Sequence, residues 1–186
     1  MTLMTVAPQR SGTETPQDPV IVCCHIPGML HEETHDRVLT SGIDFRFPEI
    51  DPVDPYAYAR TFRQWWDGQG TLLWVEQDIV PPPGAFQAML DCAEPWCSYE
   101  YHCNTATPAW GLGLCKFVDW MQIDTPTLGE QASRDYRGFQ DRMHYAALNE
   151  RIQQLADHMG YKVHLHEPRA EHLHDYGRAD AGHPQP

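Results

Sequence analysis

Blocks of apolar residues separated by turn signals organise the first half of the chain. Residues 19–26 (PVIVCCHI) form a nearly continuous apolar run, the pattern of a strand covered on both faces. Pro27-Gly28 breaks it. A helical or loop stretch reaches Ser41-Gly42, and residues 44–50 (DFRFPEI) read as a second strand, with Pro48 near its edge or end. Asp54 and Pro55 are the N-cap and first position of the next helix, which runs through YAYARTFRQWW to the turn at residues 68–70. Residues 71–80 (TLLWVEQDIV) are the strongest strand in the chain. They stop at Pro81-Pro82-Pro83-Gly84, and a helix, AFQAMLDCA, follows.

The second half is more mixed. Residues 96–102 form another predicted strand, and Gly111-Leu112-Gly113 leads into the apolar stretch LCKFV. Residues 135–159 are rich in helical pattern, with Ile152, Leu155 and Met159 at helical spacing and Gly160 as the stop. Residues 161–166 (YKVHLH) and 170–174 are two short extended pieces on either side of Pro168. Strands alternating with helices predict an α/β domain with a mainly parallel sheet and a mixed C-terminal half. Ligands of such sheets sit at the carboxyl ends of the strands. The expected organisation is a polar, Pro-rich disordered leader over residues 1–18, one domain over 19–176 and a flexible tail over 177–186.

Composition narrows the function. The net charge of −13 argues against bulk nucleic-acid binding, which needs a basic face. It leaves room for a nucleotide-bearing ligand whose phosphates are neutralised by a divalent cation. No apolar run reaches the length of a membrane span, and the N-terminal residues lack a signal-peptide pattern, so a cytoplasmic location is expected. The six cysteines are then expected as thiols. Cys23, Cys24 and Cys115 sit in apolar runs as small hydrophobes. Cys92, Cys97 and Cys103 are conceivable zinc ligands, but without any C-x-x-C pair.

Two segments carry candidate chemistry. Glu76 and Asp78 lie two apart at the end of the strongest strand, so their carboxylates point the same way if the strand persists, a good arrangement for a hard cation and its phosphates. The segment 163–174 holds His164, His166, His172 and His174, and each H-x-H pair on a strand sets two imidazoles side by side. Asp135, Asp141 and Glu150 are upstream acids that could serve as a general base. Trp110 and Trp120 flank the glycine-rich loop and could stack on a sugar or base. No G-x-G-x-x-G, P-loop or G-x-S-x-G pattern appears.

In their order and spacing these pieces resemble glycosyltransferases of the GT-A fold, across residues 19–176. TLLWVEQDIVPPPGAF is similar to the strand that ends in a D-x-D-type motif, with Glu76 in place of the first Asp and Asp78 as the metal-ligating acid. Gly160-Tyr161-Lys162-Val163 followed by Ala170-Glu171-His172 resembles the region in which a histidine completes the metal site. His172 is the matching position and His174 its neighbour. Asn149-Glu150 stands where the family carries an acidic pair, and Gly111-Leu112-Gly113 resembles the loop that approaches donor sugar and acceptor.

The resemblance implies a GT-A-like catalytic domain with Mn²⁺ or Mg²⁺ on Asp78, His172 and His174. A nucleotide diphosphate-sugar donor, a UDP-sugar by expectation, would contact His25, Glu76, Asp78 and Gly113. The acceptor is unspecified. Glu150 or Asp141 would be the base if the reaction inverts, and no base is needed if it retains. His164 and His166 are then strand residues. Two other readings stay open: a different metalloenzyme, hydrolase or oxygenase, built on His164, His166, His172 and His174, and a non-enzymatic interaction protein.

Overall fold

The fold, seen in a computed structural model, is described for residues 18–54, 56–66, 70–102, 108–135 and 145–173. Its first half follows the predicted alternation: β1 (Val20–Cys24), α1 (Glu32–Leu39), β2 (Asp44–Arg46), α2 (Ala57–Trp65), β3 (Leu72–Glu76), β4 (Ile79–Val80) and α3 (Ala85–Asp91). The second half holds β5 (Trp96–His102), β6 (Pro108–Ala109), β7 (Leu114–Phe117), α4 (Asp119–Asp124), α5 (Leu128–Asp135), α6 (Tyr145–His158) and β8 (His164–His172). The strands make one sheet in the order β2-β1-β3-β7-β5-β8-β4, with β6 paired to β5.

The architecture is mixed α/β. Parallel pairing is confined to β2-β1-β3 at one side and to β5-β8 near the other. β7 runs antiparallel between β3 and β5, and β4 antiparallel to β8. The sheet is therefore less parallel than alternation alone predicts, because β7 returns directly from the loop after β5 and β6 without a helical crossover.

The continuous apolar runs are explained by burial on both faces. One face carries Val22, Cys24, Leu72, Trp74, Trp96, Cys115 and Phe117, packed against α2, α4, α5 and α6 through Phe62, Met121, Leu128, Leu148 and Ile152. The other carries Ile21, Cys23, Leu73, Val75, Cys97, Tyr99 and Leu114, packed against α1 and α3 through Val38, Phe86 and Met89. The two-residue side-chain period of each strand divides these sets.

Three expectations are corrected. Residues 71–80 are not one strand: β3 stops at Glu76, Gln77 and Asp78 form a turn, and β4 leaves to pair β8. Asp54 does cap locally, accepting the Tyr56 backbone N–H at 2.9 Å and pairing with Arg60, but the helix begins two residues after Pro55, at Ala57. The two extended pieces around Pro168 are one strand. β8 stays in register with β5 from Cys97↔His164 to Tyr99↔His166, slips, and resumes at Tyr101↔Ala170. The helices α4 and α5 lie in a stretch that carried no predicted element.

Candidate functional site

The turn after β3 is held rigidly. The Gln77 side chain accepts the Ile26 backbone N–H at 2.6 Å, and its carbonyl accepts the His31 N–H at 3.0 Å. The Asp78 carbonyl accepts the Leu173 N–H at 2.8 Å, which locks the turn to the end of β8. Pairing of Ile79 with His172 then sets residues 94 apart in sequence side by side: Asp78 Oδ2 lies 3.2 Å from His172 Nε2. The other ring nitrogen of His172, Nδ1, faces the His102 carbonyl at 3.2 Å, so Nδ1 carries the proton. The Tyr101 ring stands edge-on to the same imidazole, with centroids 5.5 Å apart.

Glu76 sits just behind this pair. Its Oε1 accepts the Tyr58 hydroxyl at 3.0 Å, and that hydroxyl accepts the Trp74 indole N–H at 2.7 Å. Enclosure of the carboxyl, reinforced by the charge of Asp78, pushes its pKa up to about 7 against the smaller opposing effects of Tyr58 and His172. At His172 burial works against the charge. The Asp78 hydrogen bond and charge, the charge of Glu76 and the His102 carbonyl outweigh it, so the pKa lies above the ordinary imidazole value.

The Gly111-Leu112-Gly113 loop packs beside this site. The Glu76 N–H donates to the Gly113 carbonyl at 3.0 Å. A Cβ on Gly113 would overlap the Tyr101 ring, and Gly111 has φ +115° with the Asn149 amide where its Cβ would stand. Asn149 holds the loop, accepting the Leu112 N–H at 3.0 Å and donating to the Trp110 carbonyl at 2.9 Å. Its neighbour Glu150 is exposed and hydrogen-bonded to Gln154 one turn along α6 at 3.2 Å. His25 follows β1, bridged to Glu49, with Cys24 in register beside Glu76. Trp110 is half-buried against Trp96 and Trp120 against Tyr161. Asp141, His174 and Cys103 lie outside the described residues, as do the proposed tail and the leader up to residue 17.

The described histidines of the C-terminal segment, His164, His166 and His172, do not converge on one point. His164 and His166 pair with Cys97 and Tyr99, while His172 pairs with Ile79. Six strand residues from His166 to His172 span roughly 20 Å. Near the start of β8, ligand atoms of Cys92, His164 and His166 lie within 4.8 Å of one another. The His166 Nε2 is buried without a hydrogen-bond partner, which costs about 1–3 kcal/mol if nothing satisfies it.

Sequence reasoning paired Asp78 with His172 but missed Tyr58, Tyr101 and Asn149 as their supports. Tyr58 was visible only as an apolar position of α2, and no spacing rule ties it to Glu76. Asn149 stands where the resemblance implies an acid, and its amide meets both the Leu112 N–H and the Trp110 carbonyl of the loop, which a carboxylate could not.

No protein-family model matches the chain, and no curated protein matches it. Among solved structures, the chain is similar to a glycosyltransferase involved in the glycosylation of the major capsid of PBCV-1. The identity is 12%, the TM-score 0.55, and the match covers 88% of this chain and 96% of that one. The two chains share a fold across almost their whole lengths.

Proposed function

We propose that this chain is a metal-dependent glycosyltransferase of the GT-A type, moving a sugar from a nucleotide diphosphate donor to an acceptor hydroxyl. The observation that carries the reading is the Asp78–His172 pair at the carboxyl end of β3, within a fold shared with a solved glycosyltransferase. Strand ends of this kind are where α/β sheets bind ligands.

The donor set fits a divalent cation. The 3.2 Å between Asp78 Oδ2 and His172 Nε2 is close to the roughly 2.9 Å that separates adjacent ligands of a six-coordinate Mg²⁺-like ion. With Nδ1 committed to the His102 carbonyl, Nε2 beside Asp78 is the nitrogen that would ligate the ion, giving up the proton it shares with Asp78. The carboxylate oxygen suits Mn²⁺ or Mg²⁺, and the imidazole nitrogen favours the transition metal of the two, Mn²⁺. Such an ion supplies Lewis-acid stabilisation of the departing diphosphate.

The chain's own residues do the rest. Asp78 and His172 hold the cation, and the His102 carbonyl fixes the ring that presents Nε2. Glu76 adds a second carboxyl behind the first, held in place by Tyr58. Gln77 ties the turn to Ile26, at the end of the strand beside which His25 lies. The loop from Gly111 to Gly113 is buried, with Tyr101 and Asn149 filling the space beside its glycines, so it backs the Glu76 end of β3 instead of opening to a sugar as the resemblance implies. A chain of net charge −13 repels a diphosphate unless a cation lies between them.

Calorimetry with a panel of nucleotide diphosphates, with and without Mn²⁺, tests the reading on the wild type and Asp78→Ala. Binding is expected only with the cation and is expected to be lost in the variant. Failure of every nucleotide diphosphate to bind would end it.

A further inference from the structure

A second cluster of ligands sits at the other end of β8. We propose that Cys92, His164 and His166 form a separate Zn²⁺ site that fastens the free start of β8 to helix α3. The inference does not depend on the glycosyltransferase reading, since no residue is shared with it.

The fold brings the three residues together by register. His164 and His166 lie opposite Cys97 and Tyr99 on the parallel strand β5, on the sheet face that packs α1 and α3. Cys92 is the residue that ends α3 over that face. The three ligand atoms lie within 4.8 Å of one another. Tetrahedral Zn²⁺ with one sulfur and two nitrogens needs separations of roughly 3.3–3.8 Å, so a small closing movement completes the set.

Two of the three ligands are already fixed. The His166 ring is stacked on Tyr99, with centroids 5.0 Å apart and planes 20° apart. The backbone of Cys92 is anchored by the buried Lys116 ammonium, which donates to the Cys92 carbonyl at 2.6 Å. His164 is exposed and edge-on to His166 at 4.8 Å, free to swing inward. The buried, unpartnered Nε2 of His166 is an independent sign that this imidazole meets something beyond the chain.

The chemistry selects the ion. One thiolate and two neutral imidazoles suit Zn²⁺ and poorly suit Mg²⁺ or Mn²⁺, which prefer oxygen. The Lys116 ammonium would repel a bare dication, so the thiolate is the indispensable ligand: it halves the charge of the ion. Three protein ligands leave a fourth position for water. The mechanical benefit is plain from the topology. β4 covers β8 only at Glu171 and His172, so the stretch from His164 to His166 is a sheet edge among the described residues.

Cobalt is the probe that reports the sulfur. The full-length protein, reduced and stripped with chelator, is titrated with Co²⁺ and then with Zn²⁺ in competition. One equivalent of Co²⁺ with a thiolate-to-metal charge-transfer band is expected, displaced by Zn²⁺. Cys92→Ser should abolish the band and weaken Zn²⁺ by more than about 100-fold, since even residues supporting a ligand cost 10–100-fold. His164→Gln, at an exposed position that leaves folding intact, should weaken Zn²⁺ by at least about tenfold. Asp78→Asn should keep the band. The proposal is overturned by a wild type with no band, by a band that survives Cys92→Ser, or by unchanged Zn²⁺ affinity in His164→Gln.

Discussion

Strand β8 carries histidine at both ends, and the two ends are made of different materials. At His172 the neighbours are carboxylates, Asp78 at 3.2 Å and Glu76 behind it, and the imidazole is drawn towards its charged form. At His166 burial, then the nearby His164 and Lys116 charges, hold the imidazole below its ordinary pKa. One end collects oxygen donors and negative charge at a strand terminus. The other collects a thiol, two rings and a buried ammonium under a helix. The same residue type in the same strand therefore has two chemistries, set by which strand lies alongside.

The largest effect comes from breaking the acidic end alone. Asp78→Asn keeps the shape but removes the charge that a cation needs. If the cation contributes about 4 kcal/mol to the transfer barrier, the rate falls by about 10³-fold. The check is donor turnover with Mn²⁺ present, alongside the Co²⁺ band at the Cys92 end. Loss of activity with the band intact keeps the two ends separate, and loss of both would merge them.

Glu76 sharpens the same end through its proton. The folded chain holds that proton up to about pH 7, whereas the carboxyl ordinarily releases it near 4.5. Between those values the unfolded chain ionises and the folded one does not, so stability falls as pH rises. Above about 7 both are ionised and the full loss remains. The span is worth about 3 kcal/mol. Glu76→Gln still accepts the Tyr58 hydroxyl and should be more stable at pH 8 by about that amount, with the Glu76 share of the slope gone. Denaturant melts from pH 4 to 8 in chelator measure it, and an unchanged slope in the variant would refute the assignment.

A smaller effect runs through packing. Gly113→Ala places a methyl into the Tyr101 ring, which is buried and stands against His172. Displacing that ring should cost about 1–3 kcal/mol. The disturbance should weaken Mn²⁺ at the acidic end and leave Co²⁺ at Cys92 unchanged. Equal stability of variant and wild type in urea would show that the glycine is dispensable.

The contrast between the two ends also measures what the sequence makes legible. The β1 and β5 runs, the helix stop at Gly160 and the pairing of Asp78 with His172 were readable, because apolar blocks and short motifs carry that information locally. The break at Gln77 was not, because TLLWVEQDIV has unbroken strand character. Only the docking of Ile79 onto His172 shows that β4 leaves the parallel sheet. The Cys92 end was unreadable for the same reason. In sequence Cys92 stands nearest other cysteines and His164 nearest other histidines. It takes the β5–β8 register, and α3 ending over that face, to place a thiol from one segment beside rings from another. Contacts between segments some seventy residues apart leave no trace in composition or period.

The finest test of the comparison is the titration of the imidazoles in metal-free protein. For His172, whose pKa is raised by folding, the stabilisation is fully present below the unfolded value near 6.5 and is lost as pH rises through the higher folded value. For His166, whose pKa is lowered, the sign reverses: the neutral ring is the favoured folded form, and stability is lost as pH falls through the unfolded value towards the folded one. The two contributions act on opposite sides of 6.5, stability rising with pH below it through His166 and falling above it through His172, and in a melt each is summed with every other titrating group. Only resonances of the individual rings separate them. Histidine NMR in chelator should show His172 titrating above 6.5 and His166 below it, with Asp78→Asn bringing His172 down and leaving His166 in place. Two rings titrating together would mean that β5 and the Asp78 turn do not give the ends of β8 distinct surroundings.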